Sequence, residues 1–302
     1  MDSSRIAVTG ASGLIGSALV RSLTDDGHRV VRLVRREPQG PDEVRWDPER
    51  GHVDAAGLAG VDAVVNLAGA GIGDRRWTPA YKRAIRDSRV LGTAALAEAA
   101  ASLPEPPRVF VNGSAIGFYG ETGDRITDED APPGEGFLPS VCEEWEEATA
   151  PVREAGVRTA FVRTGLVVAS GGGAWAKMFP LFRAGLGGRL GNGRQYWSYI
   201  ALDDEVAAIR HLLDRDDLSG PFNLTAPHPL TNQEITEAMG RVLHRPTPFP
   251  VPAAVLKTVL GEMAGDVLGS QRVVPRRLLE SGFRFAFPGI EDTIRAAERS
   301  GE

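Results

Sequence analysis

Short apolar runs and amphipathic stretches follow one another along the first half of the chain. The runs are Arg5-Ile6-Ala7-Val8, Val30-Val31-Arg32-Leu33-Val34, Ala63-Val64-Val65-Asn66-Leu67, Arg108-Val109-Phe110-Val111-Asn112 and Val157 to Arg163. Brief apolar runs bounded by glycine and asparagine predict strands buried on both faces. Between them apolar positions recur at helical spacing. Leu14, Ile15, Ala18, Leu19 and Leu23 follow the first run, an Ala-rich helix with Leu91 and Leu96 is predicted from about Pro79 to Ala101, and Glu143 to Glu154 reads as a helix with an acidic face. Repeated strand–helix units predict an α/β fold with a doubly wound parallel sheet. After Gly165 the pattern loosens into glycine-rich loops at 171–173 and 185–193. From about Pro221 it becomes mostly helical, with the proline-rich stretch 246–252 as a stiff linker.

Between the first strand and helix lies Thr9-Gly10-Ala11-Ser12-Gly13-Leu14-Ile15-Gly16. Gly10 lets the chain turn sharply, Gly13 lets backbone approach a pyrophosphate, and Gly16 lets helix pack on sheet. The helix N-terminus then offers free N–H groups and partial positive charge to phosphates. The spacing is one residue off the usual G-x-G-x-x-G, but strand, turn and helix stand in the order a dinucleotide site needs. The alternative is an ordinary βα turn rich in glycine. On the first reading Gly10, Ser12, Gly13, Leu14 and Ile15 contact the cofactor, in a Rossmann-type domain spanning 1–165 with returning segments to about 230. Residues 166–200 and 231–302 would then form substrate-facing loops and a small, mostly helical C-terminal lobe over the carboxyl ends of the strands.

The second strand ends at Arg35-Arg36, about 25 residues past Gly10, where an NAD site usually places an acid. A guanidinium there suits the 2′-phosphate of NADP, so NADP is the expected cofactor. Otherwise the pair is a solvated strand end, as Arg29 and Arg32 are expected to be. Asp47 could reach an adenine edge or serve as a turn residue before Pro48. Leu67, Ala68 and Gly69, ending the third run, and Arg163 and Thr164, ending a later one, are further candidate cofactor contacts.

Composition narrows the partners. Across 302 residues, 42% are hydrophobic and 25% charged, as in globular proteins, and the net charge of −6 recommends neither nucleic acid nor an anionic membrane. The single cysteine, Cys142, excludes an internal disulfide and a cysteine-cluster metal site. The five histidines are scattered, with no pair at ligand spacing, so no metal site is expected. The start runs straight into the first strand without an apolar leader, and no segment approaches the ~20 apolar residues of a membrane span. The expectation is a cytoplasmic protein.

The segments Thr9–Gly16, Asn66-Leu67-Ala68-Gly69, Asn112-Gly113-Ser114 and Phe118-Tyr119-Gly120 together resemble the extended short-chain dehydrogenase/reductase superfamily. An atypical, epimerase-family branch is a closer match. It resembles this chain in Arg76-Trp77-Thr78, Ser88-Arg89, residues 113–120, Arg163-Thr164-Gly165, Gly187-Gly188, Gly191 to Gln195, Asp203-Asp204, residues 220–223 and Leu268 to Arg272. The resemblance implies a Rossmann domain that binds NADP, with a small C-terminal lobe. Homodimers are common in the superfamily, though no surface stripe here demands one. The superfamily's Tyr-x-x-x-Lys pair falls on Leu138 and Cys142, neither of which can exchange a proton with a substrate. Pro139 suggests a late helix start.

Two hydroxyls remain for catalysis. Ser114, at a strand end, could polarise a carbonyl or serve as a cap. Tyr119 could transfer a proton or anchor its loop, and without a neighbouring cation its pKa should stay near ~10. Arg163 and Lys82 are the cations to look for beside it. The loop from Gly187 to Ser198, with Arg189, Arg194, Gln195, Tyr196 and Trp197, suits an anionic or sugar-like ligand or a surface turn, and Arg75-Arg76-Trp77 could line the opposite wall. The acids from Glu121 to Asp130 and Glu143, Glu144, Glu146 and Glu147 are expected on solvated faces. Two functions stay open: an NADP-dependent oxidoreductase or epimerase acting on a small, unidentified substrate, and a non-catalytic NADP(H)-binding sensor or interaction protein.

Overall fold

The apolar runs become strands whose side chains divide between the two faces of one sheet. A computed structural model describes residues 3–299. Met1 and Asp2 of the expected nucleotide-binding domain, and Ser300, Gly301 and Glu302 of the expected lobe, lie outside the described residues. The strands are β1 (Arg5–Thr9), β2 (Arg29–Val34), β3 (Glu43–Asp47), β4 (His52–Val53), β5 (Ala63–Asn66), β6 (Val109–Ala115), β7 (Arg158–Thr164), β8 (Leu166–Val168), β9 (Tyr196–Trp197), β10 (Tyr199–Ala201), β11 (Gly220–Leu224) and β12 (Leu230–Thr231). The helices are α1 (Leu14–Asp25), α2 (Pro79–Ala101), α3 (Phe137–Glu147), α4 (Ala150–Glu154), α5 (Trp175–Arg183), α6 (Leu202–Asp214), α7 (Asn232–Val242), α8 (Ala253–Leu260), α9 (Ala264–Leu268), α10 (Arg276–Glu280) and α11 (Ile290–Arg299).

One sheet runs β11-β7-β6-β5-β1-β2-β3-β4, parallel throughout except for the antiparallel β3–β4 edge. Ile6 and Val8 of β1, Ala63 and Val65 of β5, and Val109 and Val111 of β6 pack with α1 and α6. The intervening Ala7, Val64 and Phe110 pack with α2 and α4 on the opposite face. Period-two alternation between two buried faces is why the runs look continuously apolar. The Rossmann-type doubly wound fold expected from the sequence holds. The chain runs outward from β1 through β2 and β3, then returns to β5 on the other side. The crevice of the reversal therefore lies between β1 and β5, where open α/β sheets bind ligands.

Helix α2 has the predicted bounds because Thr78 caps it, its hydroxyl accepting from Tyr81 N, and Pro79 sits at the first position. The acidic helix over 143–154 is instead two helices. Pro151 lacks an N–H for a continuous ladder and stands at the start of α4, so α3 ends at Glu147. Nor does Pro139 delay α3, which begins at Phe137 and holds the proline in its first turn, where no N–H is needed. Beyond Gly165 the chain is more regular than its pattern suggests. Helix α6 covers the sheet and leads to β11 at its edge, while β8 pairs with β10 and β9 with β12. Trp175, Phe179, Phe182, Tyr199, Ile235, Met239 and Ile294 form a further apolar cluster. The proline-rich stretch is pinned: Val251 N donates to Arg189 O, and Val251 O accepts from Gly191 N, both at 2.8 Å.

Candidate functional site

The turn after β1 is built for close approach by main chain. Gly10 has φ +64°, and a Cβ there would lie 2.9 Å from the Leu67 carbonyl carbon. A Cβ on Gly16 would lie 2.1 Å from Gly10 O. Gly13 caps α1 with no side chain, and the N–H groups of Leu14, Ile15 and Gly16 have no hydrogen-bond partner among the described residues. Ser12 is exposed beside them. Bare amides at a helix N-terminus, with a glycine floor that a Cβ would fill, fit a pyrophosphate. Leu67, Ala68 and Gly69 form the adjoining wall. Thr9 Oγ1 accepts from Leu67 N and Ala68 N and donates to Asn66 Oδ1, while Asn66 Nδ2 donates to Thr93 and Asn112. This buried network fixes the ends of β1, β5 and β6 relative to one another.

Beyond β2, Arg35 is exposed and has no ion pair among the described residues. Arg36 instead grips Glu43 with two hydrogen bonds of 2.7 Å, and this guanidinium holds the Glu43 carboxyl down at about 2. Arg32 also pairs with Glu43 and Arg29 with Asp42, so they are tied rather than merely solvated. Of the arginine pair, Arg35 is the one without an ion pair among the described residues. Asp47 serves the turn, accepting from Glu49 N and Arg50 N.

At the ends of β6 and β7, Ser114 and Arg163 are register partners whose side chains meet α3. Ser114 Oγ donates to Glu146 Oε1 at 2.7 Å. Arg163 clasps the same carboxylate through Nε at 2.8 Å and NH2 at 2.9 Å. Its NH1 reaches the Tyr119 hydroxyl at 2.9 Å, and that hydroxyl donates to Asn223 Oδ1 at 2.7 Å. The Arg163 guanidinium also lies 3.5 Å over the Phe118 ring. Glu129, buried behind, accepts from Asn223 N. Glu146 and Glu129 are thus interior groups, contrary to the expectation of solvated acids, because each meets donors from distant elements.

This chain of contacts changes the roles expected of the two hydroxyls. Ser114 already donates its hydrogen to Glu146, so its lone pairs are what it has left for a ligand, whereas polarising a carbonyl would need that hydrogen back. Tyr119 is buried, and despite the Arg163 cation, burial pushes its phenol up to about 12. Its partners are side chains, and Lys82 is elsewhere, paired with Glu262 at 2.6 Å. The geometry favours the anchor for Tyr119. Thr164 uses its hydroxyl on Glu205, a fully buried carboxyl pushed up to about 8 by burial.

Leu138 and Cys142 do stand one helical turn apart on α3, packed near Gly117. Burial pushes the Cys142 thiol up to about 12, so no thiolate stands in for the lysine. Sequence reasoning missed Glu146 although it continues that stripe: 138, 142 and 146 share one helix face. Asn66 and Asn223 lie in motifs that carry the resemblance but had no role assigned to them, and nothing local in the sequence marks Thr93. In the glycine loop, Gln195 and Trp197 are turned inward, whereas Arg189 and Arg194 are exposed. Arg76 lies against Gly261, and Trp77 stacks edge-on to Phe137.

Residues 6–225 match the NAD dependent epimerase/dehydratase family. The chain belongs to that family. Residues 251–297 also match a domain of unknown function, DUF1731. An epimerase family protein of Mycobacterium leprae is 46% identical over 293 residues, covering 97% of this chain and 95% of that protein. Human epimerase family protein SDR39U1 is 36% identical over 295 residues, covering 96% and 98%. A crystal structure of human SDR39U1 (isoform 2) with NADPH matches at TM-score 0.90 and 35% identity, over 97% of this chain and 99% of that one. A nucleoside-diphosphate sugar epimerase from Corynebacterium glutamicum matches at TM-score 0.81 and 35% identity, over 97% of this chain and 57% of that one. The epimerase-family branch indicated by the sequence motifs is therefore the right one. Among the described residues no helix is long and apolar enough to cross a membrane.

Proposed function

We propose that this protein is an NADP-dependent oxidoreductase or epimerase-like enzyme acting on a small hydroxyl, carbonyl or nucleotide-sugar-like substrate. The observation that carries the reading is the juxtaposition of two features at the carboxyl ends of the strands: a bare-amide cradle after β1 and the Ser114–Glu146–Arg163 cluster at the end of β6. The NADPH bound to the human relative supports the cofactor. When bound, NADP supplies the hydride chemistry. Leu14, Ile15 and Gly16 amides hold its pyrophosphate, Arg35 meets the 2′-phosphate, and Leu67–Gly69 flank it. Ser114 accepts the hydrogen bond of a substrate hydroxyl. As the substrate proton moves to Ser114 Oγ, the serine's own proton moves to Glu146. Arg163 keeps that carboxylate aimed at the serine. Tyr119 anchors Arg163.

A second reading, a non-catalytic NADP(H)-binding sensor, draws on Leu138 and Cys142 in the places of the tyrosine and lysine. The two are separated by turnover. Purified protein should oxidise or reduce the coenzyme slowly with a member of a carbonyl, alcohol and nucleotide-sugar panel. Ser114→Ala should lower that rate by about 100-fold while leaving coenzyme affinity intact. A silent panel, with NADP and NADPH inducing different conformations, would favour the sensor.

A further inference from the structure

The net charge of −6 hides an uneven distribution. Residues 166–202 contain no aspartate or glutamate, and neither do residues 238–261. The first segment carries Lys177, Arg183, Arg189 and Arg194, and the second carries Arg241, Arg245 and Lys257. The rest of the chain therefore holds all of the negative excess. Acids from elsewhere reach two of these cations: Arg183 pairs with Glu298 at 3.6 Å and Arg241 with Glu291 at 2.7 Å. Arg189, Arg194, Arg245 and Lys257 are exposed and form no ion pair among the described residues.

The fold joins the two segments into one face. Besides the Val251 contacts with 189–191, Arg245 Nε donates to Arg183 O at 2.9 Å, and a Cβ on Gly188 would lie 1.8 Å from Phe249 O. Apolar exposure is concentrated in the same place. Of nine large apolar side chains exposed among the described residues, five are Leu181, Leu186, Phe249, Val255 and Val259. They are 49% to 66% exposed. Leu186 N donates to Leu181 O at 2.9 Å, which sets those two leucines on one turn at the end of α5. Helix α8, which carries the two valines, has no buried residue at all. Scattered exposed apolar side chains need no explanation, but a group of them among unpaired cations does.

We infer that this face docks on an anionic lipid bilayer. Phe249, Leu186 and the α8 valines enter the boundary between headgroups and acyl chains, and the unpaired cations meet lipid phosphates. Charge complementarity selects an anionic partner, and the apolar side chains select among anionic partners. Nucleic acid would engage the cations and leave the apolar side chains in water. A bilayer engages both. Helix α8 has 8 residues, far short of the ~20 of a span, so the protein lies on the surface and does not cross it.

The full chain is floated with vesicles of phosphatidylcholine alone or mixed equally with phosphatidylglycerol. The anionic vesicles should bind it at least tenfold more tightly, and high salt should weaken that binding. Arg245→Glu with Lys257→Glu should lower affinity for the anionic vesicles at least tenfold. Leu186→Ser with Phe249→Ser should lower it at least fivefold, whereas Ile126→Ser, an exposed apolar residue outside these segments, should leave it unchanged. Wild-type protein gives an independent readout: hydrogen exchange of the amides over 245–260 should slow when anionic vesicles are added. Equal binding to both vesicle types, no binding, or a Leu186→Ser/Phe249→Ser protein that floats like the wild type overturns the inference. Binding to polyglutamate or duplex DNA as tight as to the anionic vesicles also overturns it, and would mark a face for acidic protein or nucleic acid. Coenzyme and turnover play no part in these readouts, so the result stands apart from the function proposed above.

Discussion

The cofactor cradle and the Ser114 cluster lie at the carboxyl ends of strands separated only by β5, yet they are made in opposite ways. The cradle is main chain: glycine, a helix start and amides, all within eight consecutive residues. The cluster is side chain: one residue each from β6, α3, β7, β11 and the segment after β6 converge on a buried pair of charges. A main-chain site tolerates most side-chain changes and fails on added bulk. A side-chain network fails when any member leaves its neighbour buried and unpaired.

Gly16→Ala should have the largest effect. Its Cβ would meet Gly10 O at 2.1 Å, so the helix must back away from the turn. A loss of about 3 kcal/mol or more is expected, with coenzyme binding below detection by calorimetry. Retained binding would break the main-chain account of the cradle. Arg163→Met should follow. It strands Glu146 in the interior, and breaking a buried pair typically costs about 3–5 kcal/mol, read by chemical denaturation. NADPH affinity should stay within about threefold, under 1 kcal/mol; a larger drop would show that the two regions are coupled.

Tyr119→Phe sharpens the boundary between anchor and catalyst. Losing bonds to Arg163 and Asn223 should cost about 1–2 kcal/mol and leave turnover nearly unchanged. A tenfold fall in kcat with stability intact would return the tyrosine to proton transfer. A last test concerns Glu205, held at about 8 by burial and read through pH rather than through a single loss. Between an unfolded pKa of about 4.3 and 8, the folded chain keeps a proton that the unfolded chain has released. Stability is therefore full below that range and falls as pH rises through it. Glu205→Gln should flatten this part of the curve. Between pH 5 and 8 its melting temperature should fall less than that of the wild type, at about 2–4 °C per kcal/mol.

The same contrast explains how far the sequence could be read. The dinucleotide turn, the strands and both ends of α2 follow from short-range rules: glycine spacing, two-face burial, a Thr-Pro helix start. Glu146 was passed over because an acidic run on a helix normally faces water. Its register with Leu138 and Cys142 was visible, but Arg163, the partner that brings it indoors, is 17 residues away on another element. Tyr119 and Asn223 are 104 residues apart, and no local pattern joins them. Strands β8, β9, β10 and β12 are two or three residues long and exist through pairing with distant chain, so no periodicity announces them. The pairing of Arg36 with Glu43, seven residues on, was not visible for a related reason: no local rule joins the two.

Strand β11 has a consequence for how the molecule can come apart. The chain leaves the large sheet after β7, builds part of the third apolar cluster, returns through α6 to lay down β11, and leaves again. Several peptide connections therefore join the large sheet to that cluster. A cut before β11 would separate the edge strand from the rest of the sheet along the chain, and one after it would separate Trp175, Phe179 and Tyr199 from Ile235, Met239 and Ile294 of the same cluster.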